Sequence, residues 1–406
     1  MFGRFFFFRL LTHASEVGAC IDEVNSTVNP RRSPEQSVKE AVMSSLIEDP
    51  GLAVVEHIFK EMKIDREWST RQERGFTWWG KDFAQTVWAE PPFEDSGFRI
   101  SRVHARTDVA AGFKGTPENL AKLSALNRFA SLSALIVDGR ESSEIRFAAS
   151  MYVHEQTLPW VKRLFSIAVA TQAVDAQIKG KVIAGMLGAR PAVSGHPESG
   201  RRNDCDDMLN FLAAVVAPRG QRASLWQGEE VKEAVEQLQG PPCILATGDD
   251  RGAGLTAEFP FFERTSLLRA TTEEAHPQLG TGILFRLSLP ITDSKQDWPK
   301  GAHLLNTREL DSFTRAPFLG SWCAGDQAIT FVSFYPNIAY QPGLLWNLIT
   351  SMVIRARWVA EEASGDNWNE SFERASRAKM EMMEALGEVF TKKGNKKTKG
   401  TPRRAR

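Results

Sequence analysis

Two stretches of the chain, Leu132–Ala176 and Pro317–Ala360, share one pattern: a β-hairpin that runs straight into an amphipathic helix. In the first, Leu132–Val137 is strand-like and Asp138-Gly139 supplies a turn. Ile145, Phe147, Ala149, Met151 and Val153 then alternate along one strand face. Thr157 and Pro159 open a helix on which Trp160, Val161, Leu164, Phe165, Ile167 and Ala168 form a broad apolar stripe. In the second, Pro317–Cys323 and Ala328–Tyr335 form the hairpin across Ala324-Gly-Asp326. Pro342 opens the helix, with Leu344, Leu345, Leu348, Ile349, Met352 and Val359 on its inner side. A hairpin with one apolar face has to bury it, and the helix that follows is the nearest cover. That switch of period, made twice, predicts an α+β chain of two similar units.

Laid over each other at an offset of 184 residues without gaps, Glu118–Gln177 and Ala302–Glu361 share nine identities. They are Leu120, Leu126, Phe129, Leu135, Ile145, Phe147, Leu164, Val169 and Ala176 in the first copy, all apolar. The neighbouring segments extend the likeness. A helix begins near Val42 and carries Leu52, Val55, Phe59 and Met62 on one face, and Arg71–Glu73 reads as a polar break after it. Phe76–Trp79, Ala84–Ala89 and Phe98–Val109 read as strands, the last with a bulge-like phase shift. Thr116-Pro117 starts a helix reaching about Phe129. In the second half Glu229–Leu238 is a helix. Cys243–Thr247, Leu255–Phe262, Ser266–Thr271 and the alternation from Ile283 to Ile291 are strands, and about Thr307–Phe313 is a helix.

The expected architecture is therefore α+β with two similar units. Each is an antiparallel sheet with helices packed on one face, in the order helix, three strands, helix, two strands, helix, and a C-terminal amphipathic helix follows. The expected boundaries are a disordered or mis-started 1–41, with Met43 as an alternative start, a first unit over 42–190 and a linker with a helix, Asp204–Val216, over 191–228. A second unit over 229–361, the amphipathic helix over 362–390 and a disordered basic tail over 391–406 complete the chain. Gln177–Gln221 reads as irregular apart from that helix, and Pro191–Arg202 is the loop that best marks a boundary.

This order of elements resembles the type III secretion chaperone-like superfamily, traced through 42–176 and again through about 229–360. The resemblance rests on element order and on no diagnostic motif. It implies sheets whose open face meets a partner, a chaperone-like or protein-binding role, and no catalysis. Members are small units that dimerise, so a tandem pair would place both halves of such a dimer in one chain.

The search for chemistry excludes more than it selects. Seven histidines (His13, His57, His104, His154, His196, His276 and His303) show no metal-ligand spacing, so neither a metal nor a cofactor is expected. His104 and His154 lie on strands and, with Glu155 or Asp138, form the one candidate acid–base pair. Asp204-Cys-Asp-Asp207 fits helix-dipole stabilisation, and carboxylates beside Cys205 should raise its thiol pKa. Gly248–Gly254 lacks the Gly-Lys-Ser/Thr of a phosphate loop and reads as a turn. No catalytic residue is assigned.

Four dispersed cysteines fit reduced thiols in a cytoplasmic protein, and no apolar run approaches the roughly 18 residues of a membrane span. The net charge of zero hides a split, because Lys392, Lys393, Lys396, Lys397, Lys399, Arg403, Arg404 and Arg406 crowd the tail without an acid among them. Three functional readings follow. The first is a non-enzymatic protein that binds another protein through a sheet face or the Asn367–Phe390 helix, with Trp78, Trp79, Trp368 and Phe372 as aromatic anchors. The second is a nucleic-acid-associated protein, or one touching another anionic surface, through the basic tail. The third is an enzyme with a dispersed site near His104 and His154.

Overall fold

Helix starts are written locally, and the first is typical. Asp49 accepts a hydrogen bond from the Leu52 amide, and Pro50 occupies the first helical position of α1 (Pro50–Glu61). The computed structural model describes residues 49–129, 131–137, 143–216, 223–241, 243–290, 297–325, 328–363 and 365–381. The expected segments 1–41 and 391–406 lie outside these.

After α1 come β1 (Ser69–Gln72), β2 (Gly75–Trp79), β3 (Ala84–Ala89), β4 (Phe93–Asp95) and β5 (Phe98–Ala111). Then α2 (Pro117–Asn127), β6 (Ala134–Val137), β7 (Ile145–Val153) and α3 (Leu158–Met186) complete the first unit, with β8 (Arg190–Pro191) returning to it. Helix α4 (Asp207–Val216) follows. The second unit holds α5 (Glu229–Gln237), β9 (Leu245–Gly248), β10 (Gly254–Phe261), β11 (Arg264–Thr271) and β12 (Gly282–Leu289). It continues with α6 (Trp298–Asp311), β13 (Ser321–Ala324), β14 (Ile329–Pro336) and α7 (Leu344–Trp358). A last helix, α8, covers 368–381.

The two sheets are built alike. The first runs β1-β2-β3-β5-β7-β6, with β4 and β8 paired to β5; the second runs β9-β10-β11-β12-β14-β13. Every pairing is antiparallel. One face of the first sheet, with Phe76, Val87, Val103, Ala105, Phe147 and Met151, is covered by α1 and α3. In the second sheet, Leu255, Ala257, Phe285, Leu287 and Phe331 meet α5 and α7 from one face. The chain is α+β with two similar units, and one hydrophobic core runs through both.

The units meet through a pseudo-twofold exchange. Backbone amides of Ser150 (β7) and Phe318, ahead of β13, bond each other's carbonyls at 3.1 and 2.8 Å. On the other side of the pseudo-axis Ser131, ahead of β6, takes the Phe334 amide of β14 and donates its hydroxyl to the Phe334 carbonyl at 2.9 Å. Helices α2 and α6 pack on each other across the same junction. A contact in which each partner offers the same patch is what a twofold dimer interface looks like, here inside one chain.

Each junction helix also clamps its own hairpin in the same way. Asn127 donates to the Leu135 carbonyl at 2.9 Å and accepts from its amide at 2.7 Å; Asn306 does the same to Trp322 at 2.9 and 2.8 Å. The pairs are 8 and 16 residues apart in sequence. Leu135 lies opposite Phe147, and Trp322 opposite Phe331. The gapless offset of 184 therefore holds from Phe147 and Phe331 onward and fails before them, where loops of different length intervene.

Other departures have local reasons. Each unit has more strands before its junction helix than the three of the element order. In the first, β1 adds one where Arg71–Glu73 reads as a break. Its residues point to solvent at the sheet edge, so no apolar alternation marks it. The register shift in β5 comes between Asp108 and Ala110, later than its sequence pattern indicates. Helix α3 continues ten residues past Ala176; Ile178, Val182 and Met186 sit on its exposed side there, so no clean inward stripe marks this extension in the sequence. The Pro191–Arg202 loop packs onto the first sheet. Pro191 pairs with Ala110, and Ser194 accepts a hydrogen bond from the Trp79 indole.

Candidate functional site

The aromatic anchors read from the sequence are mostly inside. Trp78 is fully buried against Phe83. Trp79 is 6% exposed and is roofed by Ser194 and the His196 ring. Trp368 is 3% exposed, and Phe372 is half-buried beside it on α8. Trp78, Trp79 and Trp368 thus hold the fold together and leave no ring for a partner. The eight basic tail residues and Asp138 lie outside the described residues.

His104 and His154 are not brought together. His104 pairs across the strands with Ser150, four residues short of His154, a gap of about 13 Å along the sheet. Arg102 and Tyr152 stand between them, the guanidinium 5.3 Å from the Tyr152 ring centre. The carboxylate that meets His104 is Glu90, 2.7 Å from Nε2. Burial pulls the His104 pKa down, and its hydrogen bond pulls that of Glu90 down, so a neutral ring donates to an ionised carboxylate. Trp88 stacks flat on that ring at 4.7 Å. The acid–base pair expected from sequence is not assembled.

What the fold does assemble is a cleft of about 150 Å³ between the units. From the first unit come the β4–β5 hairpin, the end of β7 and the start of α3; from the second come the segment after α6 and one face of α7. Five aromatic side chains form its walls: Phe98, Tyr152, Trp160, Phe313 and Trp346. The hairpin reaches the rim through a two-residue turn in which Ser96 and Gly97 both have positive φ, 54° and 82°. That turn sets Asp95 3.0 Å from Arg315, an ion pair at the mouth that ties the two units together.

His154 faces this cleft against Phe98, ring centres 4.9 Å apart. Its Nδ1 is buried without a partner, and Nε2 makes no hydrogen bond among the described residues. Burial lowers its pKa, with Glu155 pulling weakly the other way, so the ring is neutral at neutral pH. Burial also raises the pKa of Tyr152.

Behind the lining residue Pro317 lies a charged pair sealed from solvent. Arg355 and Glu309, both 0% exposed, pair at 2.7 Å, and the other carboxylate oxygen of Glu309 accepts from the Trp322 indole at 2.7 Å. The Arg355 guanidinium donates to the Pro317 carbonyl at 2.5 Å and lies 3.7 Å over the Phe331 ring. Arg102, from the first unit, donates to the Glu309 carbonyl and the Ser150 hydroxyl, each at 3.2 Å. The wall residue Pro317 is therefore fixed from behind by both units.

The pseudo-equivalent position across the junction is bonded differently. At the offset of 184, Arg163 stands where Asn347 lines the cleft, and it donates across the junction to the Ile338 carbonyl at 2.9 Å. His276 bonds the Phe129 carbonyl at 3.1 Å.

His276 belongs to a feature written twice in the sequence and passed over there. His196-Pro-Glu-Ser-Gly200 and His276-Pro-Gln-Leu-Gly280 form the same turn. In each, histidine and glycine exchange backbone hydrogen bonds, and the ring Nδ1 accepts from the amides two and three residues on. The spaced pattern His-Pro-x-x-Gly was the available signal. One copy roofs Trp79, and the other covers Phe334.

The described thiols are held in their protonated form. Burial pushes the thiol of Cys243 up to about 11 and that of Cys323 up to about 12, and burial with Asp206 and Asp207 nearby raises Cys205. Asp206 caps α4 through the Met208 amide and pairs with Arg202 at 3.0 Å. No group of three metal-binding side chains occurs among the described residues, and no described helix is long and apolar enough to cross a membrane. No known protein family, curated protein or solved structure matches the chain.

Proposed function

We propose that this protein binds another polypeptide and holds it through one apolar side chain seated in the inter-unit cleft. The observation that carries this is the cleft itself. It is walled by five aromatic rings, opens on one side of a pseudo-symmetric junction, and measures about 150 Å³. A cavity of that size takes one ring or branched group, while whole small-molecule ligands occupy about 300–1,000 Å³. A single buried anchor surrounded by a polar rim is the usual anatomy of a protein–protein hot spot. Asp95, Arg315, Asn347 and Thr350 supply polar groups beside the rings. The element order, which resembles the type III secretion chaperone-like superfamily, supports a chaperone-like binding role as well.

Random peptides selected for binding to the full chain test this. The selected peptides should share one large apolar residue, and Thr350→Trp, which fills the cleft from α7, should weaken them at least about tenfold while the fold stays intact. Equal binding to the filled variant would end the reading. The eight basic residues of the tail carry a separate proposal, contact with a polyanion. Steeply salt-dependent oligonucleotide binding that disappears on removal of 391–406 is its expected signature, and binding that survives the truncation would refute it.

A further inference from the structure

Resting on that reading, we infer that the anchor residue is a tyrosine, whose phenol ring fills the cleft and whose hydroxyl is recognised by His154. Three observations converge on a phenol. The walls are flat aromatic faces and edges, which receive a planar ring in edge-to-face contacts. The volume of about 150 Å³ is that of a cavity filled by a benzene-sized ring. The cleft is also balanced in charge. Arg315 is compensated by Asp95 at 3.0 Å, no other Asp, Glu, Lys or Arg lines the walls among the described residues, and a charged anchor would lose its hydration without a counter-ion.

The polar handle is selected by His154. A neutral imidazole has one acceptor and one donor nitrogen, and neither is hydrogen-bonded here among the described residues. With Nδ1 buried, Nε2 is the nitrogen a ligand can approach. A phenolic hydroxyl both donates and accepts, so it meets Nε2 in either tautomer. A phenylalanine would leave that nitrogen dehydrated and unpaired.

The test is a cycle of two ligands and two proteins. p-Cresol and toluene, the side-chain analogues of tyrosine and phenylalanine, are titrated against the full chain and against His154→Leu, with binding read by ligand-observed NMR. The same comparison is made with the peptides selected above, synthesised with Tyr or Phe at the anchor. The expected result is about a tenfold preference for the hydroxylated member in the native chain, and none in His154→Leu, which still binds toluene. A preference that persists in His154→Leu, or its absence in the native chain, overturns the tyrosine assignment even if Thr350→Trp blocks every probe. If Thr350→Trp blocks none, the cleft reading itself fails. His154→Met, which has no nitrogen to bond the hydroxyl, serves as a second variant should the leucine substitution disturb folding, with the same loss of preference expected and a retained preference overturning the assignment.

Discussion

At the scale of single residues, the most consequential interaction is the sealed pair Glu309–Arg355. Two charges at 0% exposure are tolerated because every strong donor or acceptor beside them is used: Trp322 on one carboxylate oxygen, Pro317 on the guanidinium, and Phe331 beneath it. Such a pair adds little net stability over well-packed apolar residues, but removing one partner strands the other. Glu309→Leu should lower the unfolding free energy by about 3–5 kcal/mol in urea titration, and Glu309→Leu with Arg355→Met should recover most of the loss. A single variant as stable as the native chain would show that the pair is dispensable. His276 makes a second prediction. Burial holds its pKa below the ordinary 6.5, and in the neutral ring Nδ1 is free to accept the amides of Gln278 and Leu279. The unfolded chain then binds the proton more readily, so this turn's contribution is complete above pH 6.5 and declines as the pH falls below it. Amide exchange at Gln278 and Leu279, corrected for its intrinsic pH dependence, should lose protection as the pH falls below 6.5, and constant protection would contradict the assignment.

At the scale of elements, the asparagines on α2 and α6 explain how each hairpin finds its place under the junction helix. Asn306 satisfies both backbone groups of Trp322, and Trp322 delivers its indole to Glu309. Asn306→Leu leaves a buried amide and carbonyl unpaired and should cost at least about 2 kcal/mol, measured by chemical denaturation, with Asn127→Leu giving a similar loss. Here the sequence is legible to a definite depth. The alternation from Ile145 to Val153, the Thr116-Pro117 start and the Pro342 approach to α7 identify their elements, because each reports a local burial period or a fixed backbone angle. Strand β1 and the last turns of α3 escape that reading. The outer strand has no apolar face, and Ile178, Val182 and Met186 face away from the core. The cleft escapes it for another reason. Phe98 and Trp160 are wall residues from one unit and Phe313 and Trp346 from the other, and no sequence period relates them.

At the scale of the whole molecule, the chain is a pseudo-dimer with a shared core. The reciprocal backbone bonds at Ser150–Phe318, the backbone and hydroxyl bonds at Ser131–Phe334, and the packing of α2 on α6 join the two units' edges in one core. Neither half should therefore fold alone. Segments 49–216 and 223–381 expressed separately should give poorly dispersed amide spectra, and expressed together they should co-purify as a one-to-one complex with native-like dispersion. A well-dispersed spectrum from either half by itself would refute the shared-core account. By itself the sequence determined the α+β class, the hairpin–helix unit and its repetition, since these follow from burial periods and turn chemistry within a few tens of residues. Only the tertiary structure decided which aromatics are core and which are walls, that His104 meets Glu90 in place of His154, and that one side of the pseudo-twofold junction is open. Those outcomes depend on strand register and on how the two units meet. Shifting a strand by one residue exchanges its faces, and where Asn347 lines the cleft, Arg163 at the matching position bonds across the junction.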